Sequence, residues 1–170
     1  MSRVSDLIDQ AKAAKGLDNF GSDGFREGLE ILVDSAYREA NLNAAGRASF
    51  DGQVVMLLST RLEIEDWYAR HPEIDEQEII APLIVLGLPR TGSSALHCLL
   101  GEDPQVRVMR GWESMMPCPP PEAATYETDP RIALMEGFMA RREQLAPRMK
   151  QMLPRSVPRV TCSRPVRRSA

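Results

Sequence analysis

Residues 82–101 read PLIVLGLPRTGSSALHCLLG, and the order of apolar, glycine and helix-forming residues in this stretch decides the fold. Residues 82–86 form a short apolar run bounded by proline and glycine, which is typical of a strand buried on both faces. Residues 87–92 begin and end with glycine and predict a loop. From Ser93 apolar residues return at helical spacing, and Gly101 predicts the end of that helix. The stretch therefore predicts a strand, a glycine loop and a helix.

The loop has the spacing of a phosphate-binding loop. Gly87 and Gly92 make the pattern G-x4-G, and two hydroxyl residues follow, but Ser93 stands where a nucleotide triphosphatase has lysine. Glycines allow the backbone N–H groups of a loop to point inward, and the start of a helix adds unpaired N–H groups and partial positive charge. The pattern therefore predicts an anion-binding loop that lacks the triphosphatase signature.

Side chains of the same loop can add to the binding of an anion. Thr91, Ser93 and Ser94 carry hydroxyl groups that can donate to phosphate oxygens, and Arg90 contributes a fixed positive charge with five donors. The alternative is a tight turn between a strand and a helix without a ligand. A strand before the loop and a helix after it favour anion binding.

Apolar residues recur at helical spacing in the first part of the chain, and their spacing changes from segment to segment in the second part. Apolar spacing predicts helices within residues 1–71, and His71 before Pro72 ends that pattern. Residues 106–109 form a possible second strand. Asp129 and Pro130 predict the N-cap and first turn of a further helix, which Pro147 would kink or end.

Composition and charge narrow the function classes. The 170 residues are 43% hydrophobic and 26% charged, the balance of a globular protein. Residues 152–170 hold five of the 21 basic residues and no acid, which leaves 16 basic against 24 acidic residues before them. This acidic body argues against general nucleic-acid binding. We find no secretory signal pattern and no apolar run long enough to span a membrane, so a cytoplasmic location is expected.

Residues 89–94 read P-R-T-G-S-S and resemble the 5′-phosphosulfate loop of the sulfotransferase family. The stretches on either side, residues 83–88 and A-L-H-C-L-L at 95–100, are part of the same resemblance. The resemblance extends over roughly residues 20–150, as in bacterial members of the family. The stretches that carry it are I-E-D-W at 64–67, H-P-E-I at 71–74, D-P at 103–104, W-E at 112–113, the proline cluster, and D-P-R at 129–131.

This resemblance implies an α/β fold with a P-loop-like parallel sheet, incomplete here, preceded by a helical N-terminal region. It implies transfer of a sulfuryl group from 3′-phosphoadenosine 5′-phosphosulfate to a hydroxyl or amine, with no metal. The acceptor would be a small molecule, a glycan or a lipid. Arg90 to Ser94 would bind the 5′-phosphosulfate, and Arg90 would stabilise charge that grows on the bridging oxygen in the transition state.

Sulfuryl transfer also needs a base for the acceptor, and Glu113 is the candidate. It follows the second predicted strand, so it is expected at the sheet edge where the glycine loop opens. Alternatively, Glu113 solvates a loop or pairs with Arg110. Trp112 and the prolines at 117–121 either shape an acceptor pocket or form a rigid connection around a packed indole.

The family pattern breaks near the C-terminus. No match exists for the element that holds the 3′-phosphate, and the composition changes after Gln151, which suggests truncation or a shifted reading frame. We expect a helical region at 1–78, the first part of the α/β domain at 79–151, and a disordered tail at 152–170. The alternatives are an inactive truncated product, a nucleotide-binding or phosphotransferase module, and an interaction protein that uses its amphipathic helices.

Overall fold

A computed structural model of the chain describes residues 2–88, 91–145 and 147. The chain divides into two compact units, residues 1–78 and 79–170. The predicted tail at 152–170 lies outside the described residues. Each unit has its own set of helices and its own buried residues.

Three α-helices build the first unit: α1 at Arg3–Lys15, α2 at Arg26–Arg38 and α3 at Ala44–Arg70. The predicted helical character of residues 1–71 is therefore confirmed. Short 3-10 turns at Asp23–Phe25 and Pro72–Ile74 precede α2 and follow α3.

Local sequence explains where these helices begin and end. The side chain of Ser2 accepts from the N–H of Ser5 at the start of α1, and Gly16 ends that helix in the left-handed conformation with φ 66°. Asn43 caps α3 by accepting from the N–H of Gly46 at 2.8 Å. His71, before Pro72, ends α3 as the sequence predicts.

The core of the first unit lies between these helices. Each of the three helices contributes apolar residues to it. The buried apolar residues are Leu7, Ile8 and Ala11 of α1, Phe20 of the connection between α1 and α2, Leu29 and Val33 of α2, and Val54, Leu58 and Leu62 of α3. Burial of this apolar surface is the main stabilising term for the unit.

The second unit contains α4 at Ser93–Leu100, α5 at Gly111–Met115 and α6 at Pro130–Leu145. The sequence placed α4 correctly from its apolar spacing. It also placed the start of α6, where the Asp129 carboxylate accepts from the N–H of Arg131 at 2.9 Å and Pro130 occupies the first turn. The helix ends two residues before Pro147.

Residues 2–88 and 91–145 contain no β-strand, so the predicted parallel sheet is not found in this part of the chain. Residues 82–86 and 106–109 have no regular structure, because neither segment is paired with another described segment that would satisfy its backbone groups. The expected burial of the first segment on both faces is wrong for this structure. Leu83, Ile84 and Leu86 are exposed, and Ile84 has an exposed fraction of 70%.

Candidate functional site

Thr91, near the end of the glycine loop, contacts the two residues at its start, Gly87 and Leu88. Thr91 donates from its hydroxyl to the carbonyl of Leu88 at 2.6 Å and from its N–H to the same oxygen at 3.3 Å. A Cβ at Gly87 would lie 2.7 Å from Oγ1 of Thr91. A side chain at position 87 would therefore force the hydroxyl of Thr91 to move away from its place in the loop.

A helix begins directly at the end of this loop. Gly92 occupies the N-cap of α4 with φ 90°, a left-handed conformation that favours glycine, and glycine has no side chain that could cap the helix. The first intrahelical bond runs from the N–H of Leu96 to the carbonyl of Gly92 at 2.9 Å. The N–H groups of the preceding turn therefore have no intrahelical acceptor, and they form the positive end of the helix dipole.

The structure places four of the five predicted binding residues at this helix start. Thr91 and Gly92 are exposed and Ser93 is half-buried. Ser94 lies in the first turn of α4. Arg90 lies outside the described residues, with Pro89. Because the hydroxyl of Thr91 donates to Leu88, it would have to leave that carbonyl before it could donate to an anion.

Glu113 lies in a different cluster, at the start of α5. Its carboxylate has an exposed fraction of 5% and forms an ion pair with Arg107. Oε2 accepts from the N–H of Arg110 at 2.7 Å and from the hydroxyl of Tyr126 at 2.8 Å. All of these partners lie between residues 107 and 126, so the carboxylate binds the N-cap of its own helix and the chain that follows it.

Arg110 connects the start of α5 to the segment before α6. Its guanidinium donates to the carboxylate of Glu127 at 2.7 and 3.2 Å and lies 4.3 Å from the ring centroid of Tyr126. The side chain is buried, with a residue exposure of 2%, and its Nε has no hydrogen-bond partner. A buried guanidinium placed over an aromatic ring gains a cation–π contribution to its stability.

Arg131, in the first turn of α6, binds the segment between α5 and α6 from its other end. It pairs with Asp129 at 2.6 Å and donates to the carbonyls of Met116 and Pro119 at 2.8 and 2.6 Å. The hydrogen bond from Arg131 holds the pKa of the Asp129 carboxyl below its usual value. Two buried arginines therefore tie the proline-rich segment 116–129 to the helices on both sides.

Trp112 is fully buried beneath this segment. The guanidinium of Arg131 lies 4.6 Å from its ring centroid, and the ring of Tyr126 lies 5.6 Å away. An indole with no exposed surface cannot contact an acceptor in this arrangement. The structure therefore favours the rigid connection around a packed indole over an acceptor pocket lined by Trp112.

Sequence reasoning missed the basic and aromatic partners of Glu113. Arg107 and Tyr126 carried no motif and were not singled out. One signal was available, since Arg110 and Glu113 stand at the N-cap and N3 spacing of a helix start. In the structure, the carboxylate of Glu113 accepts from the backbone N–H of Arg110, whereas the guanidinium of Arg110 contacts Glu127.

Within residues 2–88 and 91–145, no group of three or more His, Cys, Asp or Glu side chains is arranged to hold a metal ion. In the same part of the chain, none of the helices is both long and apolar enough to cross a lipid bilayer.

Solved structures with similar folds are bacterial sulfotransferases. Sulfotransferase STF1 from Mycobacterium tuberculosis H37Rv matches with a TM-score of 0.74 and 32% identity, over 86% of this chain and 40% of that one. Sulfotransferase STF9 from Mycobacterium avium matches with a TM-score of 0.78 and 31% identity, over 91% of this chain and 39% of that one. The chain thus spans about two fifths of the length of these structures.

Family-level comparison agrees with the structures. No curated protein matches the chain. Residues 82–160, which begin at the predicted strand and include the glycine loop, match the family described as the Sulfotransferase family. The resemblance to the sulfotransferase family that the loop sequence indicates is therefore confirmed by the family match and by both solved structures.

Proposed function

We propose that this chain supplies the sulfate-donor-binding part of a sulfotransferase, which transfers a sulfuryl group to a hydroxyl or amine. The observation that carries the proposal is the glycine loop that closes between Gly87 and Thr91 and ends at the uncapped start of α4. Backbone N–H groups at a helix start bind phosphate and sulfate anions. The family and both solved structures support sulfuryl transfer over phosphoryl transfer.

The loop residues fit a 5′-phosphosulfate group. The unpaired N–H groups of the first turn of α4 would bind its oxygens, and Ser93 and Ser94 would add hydroxyl donors. Thr91 would join them after it leaves the carbonyl of Leu88. When bound, 3′-phosphoadenosine 5′-phosphosulfate supplies the activated sulfuryl group, and no metal is required for this chemistry.

Arg90 would carry the electrostatic part of catalysis. A guanidinium at this position of the loop would stabilise the negative charge that develops on the bridging oxygen as its bond to sulfur breaks. Such a contribution is greater in the transition state than in the ground state, so it raises the rate constant and not only the affinity.

Glu113 is proposed as the base that accepts the acceptor proton. Its carboxylate is the acceptor of three hydrogen bonds and is almost fully buried. This environment orients the group rigidly, as a proton acceptor requires, but it leaves little of the carboxylate open to an acceptor molecule. For Glu113 to act as the base, the acceptor proton would therefore reach its carboxylate through one of the groups that are hydrogen-bonded to it.

The acceptor is proposed to be a small molecule, a glycan or a lipid, and the location to be cytoplasmic. Because the chain spans about two fifths of STF1 and STF9, sulfuryl transfer by this chain is itself part of the proposal. An incubation with ³⁵S-labelled 3′-phosphoadenosine 5′-phosphosulfate and mixed alcohol and amine acceptors tests it. Label in an acceptor, dependent on Arg90, supports the proposal, and label in no acceptor contradicts it.

A further inference from the structure

The carboxylate of Glu113 is surrounded by hydrogen-bond donors, and this arrangement limits how it can receive a proton. The guanidinium of Arg107 donates to Oε1, while the N–H of Arg110 and the hydroxyl of Tyr126 donate to Oε2. Only 5% of the residue is exposed. Oε1 keeps one free lone pair, but burial leaves little of the carboxylate open to the direct approach of an acceptor.

The three donors differ in one chemical respect. A guanidinium and a backbone N–H donate hydrogen bonds and have no lone pair with which to accept one. The phenol of Tyr126 donates to Glu113 and still has lone pairs for a second partner. Tyr126 is half-buried, whereas Glu113 is buried, so the tyrosine is the more accessible residue of the pair.

We propose that Tyr126 is a second catalytic residue, which passes the proton of a hydroxyl acceptor to Glu113. This inference rests on the proposed sulfuryl transfer. As the acceptor oxygen forms its bond to sulfur, its proton moves to the oxygen of Tyr126, and the proton of Tyr126 moves to Oε2 of Glu113. The sulfur–oxygen bond of the sulfate donor breaks, and its electron pair leaves with 3′-phosphoadenosine 5′-phosphate.

The surroundings of Tyr126 suit this role. Its ring lies against Trp112, with centroids 5.6 Å apart, and the guanidinium of Arg110 lies 4.3 Å from the ring centroid. These contacts fix the direction of the hydroxyl. Burial and the hydrogen bond to Glu113 raise the pKa of Tyr126 to about 12, so the phenol carries its proton at neutral pH and can donate it.

The test compares Tyr126→Phe, Glu113→Gln and the double variant in sulfuryl transfer to a simple alcohol. Phenylalanine keeps the ring and its contacts with Trp112 and Arg110, and removes only the hydroxyl. We expect each single variant to lower kcat by roughly 10² to 10⁴-fold, because both remove the same proton transfer. The double variant is expected to lose no more than the larger single loss, because residues that act as one unit are not additive.

Two controls separate this inference from the proposed function and from unfolding. Tyr68→Phe removes an exposed phenol from α3 and is expected to leave kcat unchanged. Titration with 3′-phosphoadenosine 5′-phosphate, with a urea unfolding curve for each variant, reports whether sulfate-donor binding and the fold survive.

Each outcome decides the role of Tyr126. Retained affinity for the bisphosphate with a joint, non-additive loss of kcat supports the relay. Full activity in Tyr126→Phe with a loss in Glu113→Gln overturns the relay and leaves sulfuryl transfer standing. A wild-type chain that binds the bisphosphate and transfers nothing overturns the relay in this chain, and one that binds nothing contradicts the proposed function itself.

Discussion

The hydroxyl of Tyr126 donates a 2.8 Å hydrogen bond to Oε2 of Glu113, and this bond joins the segment before α6 to the start of α5. The carboxylate lies among Arg107, the N–H of Arg110 and this phenol. A residue selected from sequence as a base is therefore also a structural junction. Activity measurements on variants of Glu113 therefore need an unfolding curve for each variant, which reports the structural role separately from the catalytic one.

The phenol of Tyr126 should titrate far above an ordinary tyrosine. Burial, followed by the hydrogen bond to Glu113, raises its pKa to about 12 from 10.0. Because the pKa of the folded state is raised, the associated stability is fully present below pH ~10 and is lost as the pH rises towards 12. Ultraviolet difference titration of the wild-type chain minus Tyr126→Phe measures this pKa.

Glu113→Gln should lower that pKa and leave it above 10. The substitution removes the negative charge beside the phenol, while burial, the larger cause of the shift, remains. An unchanged titration in Glu113→Gln would show that the two side chains are not coupled in solution.

Gly87→Ala should destabilise the loop. The added Cβ would lie 2.7 Å from Oγ1 of Thr91, which is closer than real Cβ contacts. We expect a loss of about 0.5–1.5 kcal/mol in the free energy of unfolding, because the exposed side chain of Thr91 would turn its hydroxyl away from the carbonyl of Leu88. Urea denaturation measures the loss, and adding Thr91→Ala should recover part of it.

Gly137→Ala is the matched control for this substitution. Gly137 lies in α6 with open space around its Cβ position. Alanine is expected to stabilise the helix there by about 0.5–1 kcal/mol. Equal effects at positions 87 and 137 would contradict the close approach of Gly87 and Thr91.

The helices were predictable from sequence because local signals determine them. α4 begins at Ser93 after a glycine loop, and α6 begins at Pro130 after Asp129, and both signals act within a few residues. The sheet depends on partners distant in sequence. The apolar run at 82–86 is not paired in this structure, so its strand character stays a prediction.

Arg131→Met should cost far more stability than a surface substitution. Arg131 is buried, pairs with Asp129 and donates to two backbone carbonyls of the segment 116–129. Methionine would leave the Asp129 carboxylate buried without its partner. We expect a loss of about 3 kcal/mol in the free energy of unfolding, measured by urea denaturation.

Arg26→Met gives the comparison at an exposed site. Arg26 pairs with Asp23 at 2.5 Å, with side-chain exposures of 45% and 75%. Its removal should change stability by about 0–1 kcal/mol. A loss at Arg131 as small as that at Arg26 would contradict its role as the tie between the segment and α6.

Tyr37→Phe should destabilise the N-terminal unit. The hydroxyl of Tyr37 donates to both oxygens of Asp51 at 2.9 and 2.8 Å, and Arg3 is the other partner of that carboxylate. Asp51 is buried, so the loss of one donor should cost about 1–3 kcal/mol. Thermal unfolding followed by circular dichroism measures it, and no shift in Tm would show that this hydrogen bond is not made in solution.

The candidate site was only partly predictable for a similar reason. The spacing of Gly87 and Gly92 located the loop and the start of α4, since both follow from backbone conformation at neighbouring residues. The surroundings of Glu113 depend on Tyr126, thirteen residues away, and on Arg107, and no local pattern links them. The binding roles of Arg90 to Ser94, the role of Glu113 and the domain boundaries stay predictions.

Calorimetric titration of the whole 170-residue chain with 3′-phosphoadenosine 5′-phosphate tests the central claim most directly. We expect binding that ATP with Mg²⁺ does not match and that Arg90→Ala weakens about 10 to 100-fold, as expected for loss of a charge-assisted hydrogen bond. Arg141→Ala, which removes an exposed arginine of α6, should leave the affinity unchanged. No binding by a cooperatively folded chain, or equal binding of ATP with Mg²⁺, would contradict a sulfate-donor site at the glycine loop.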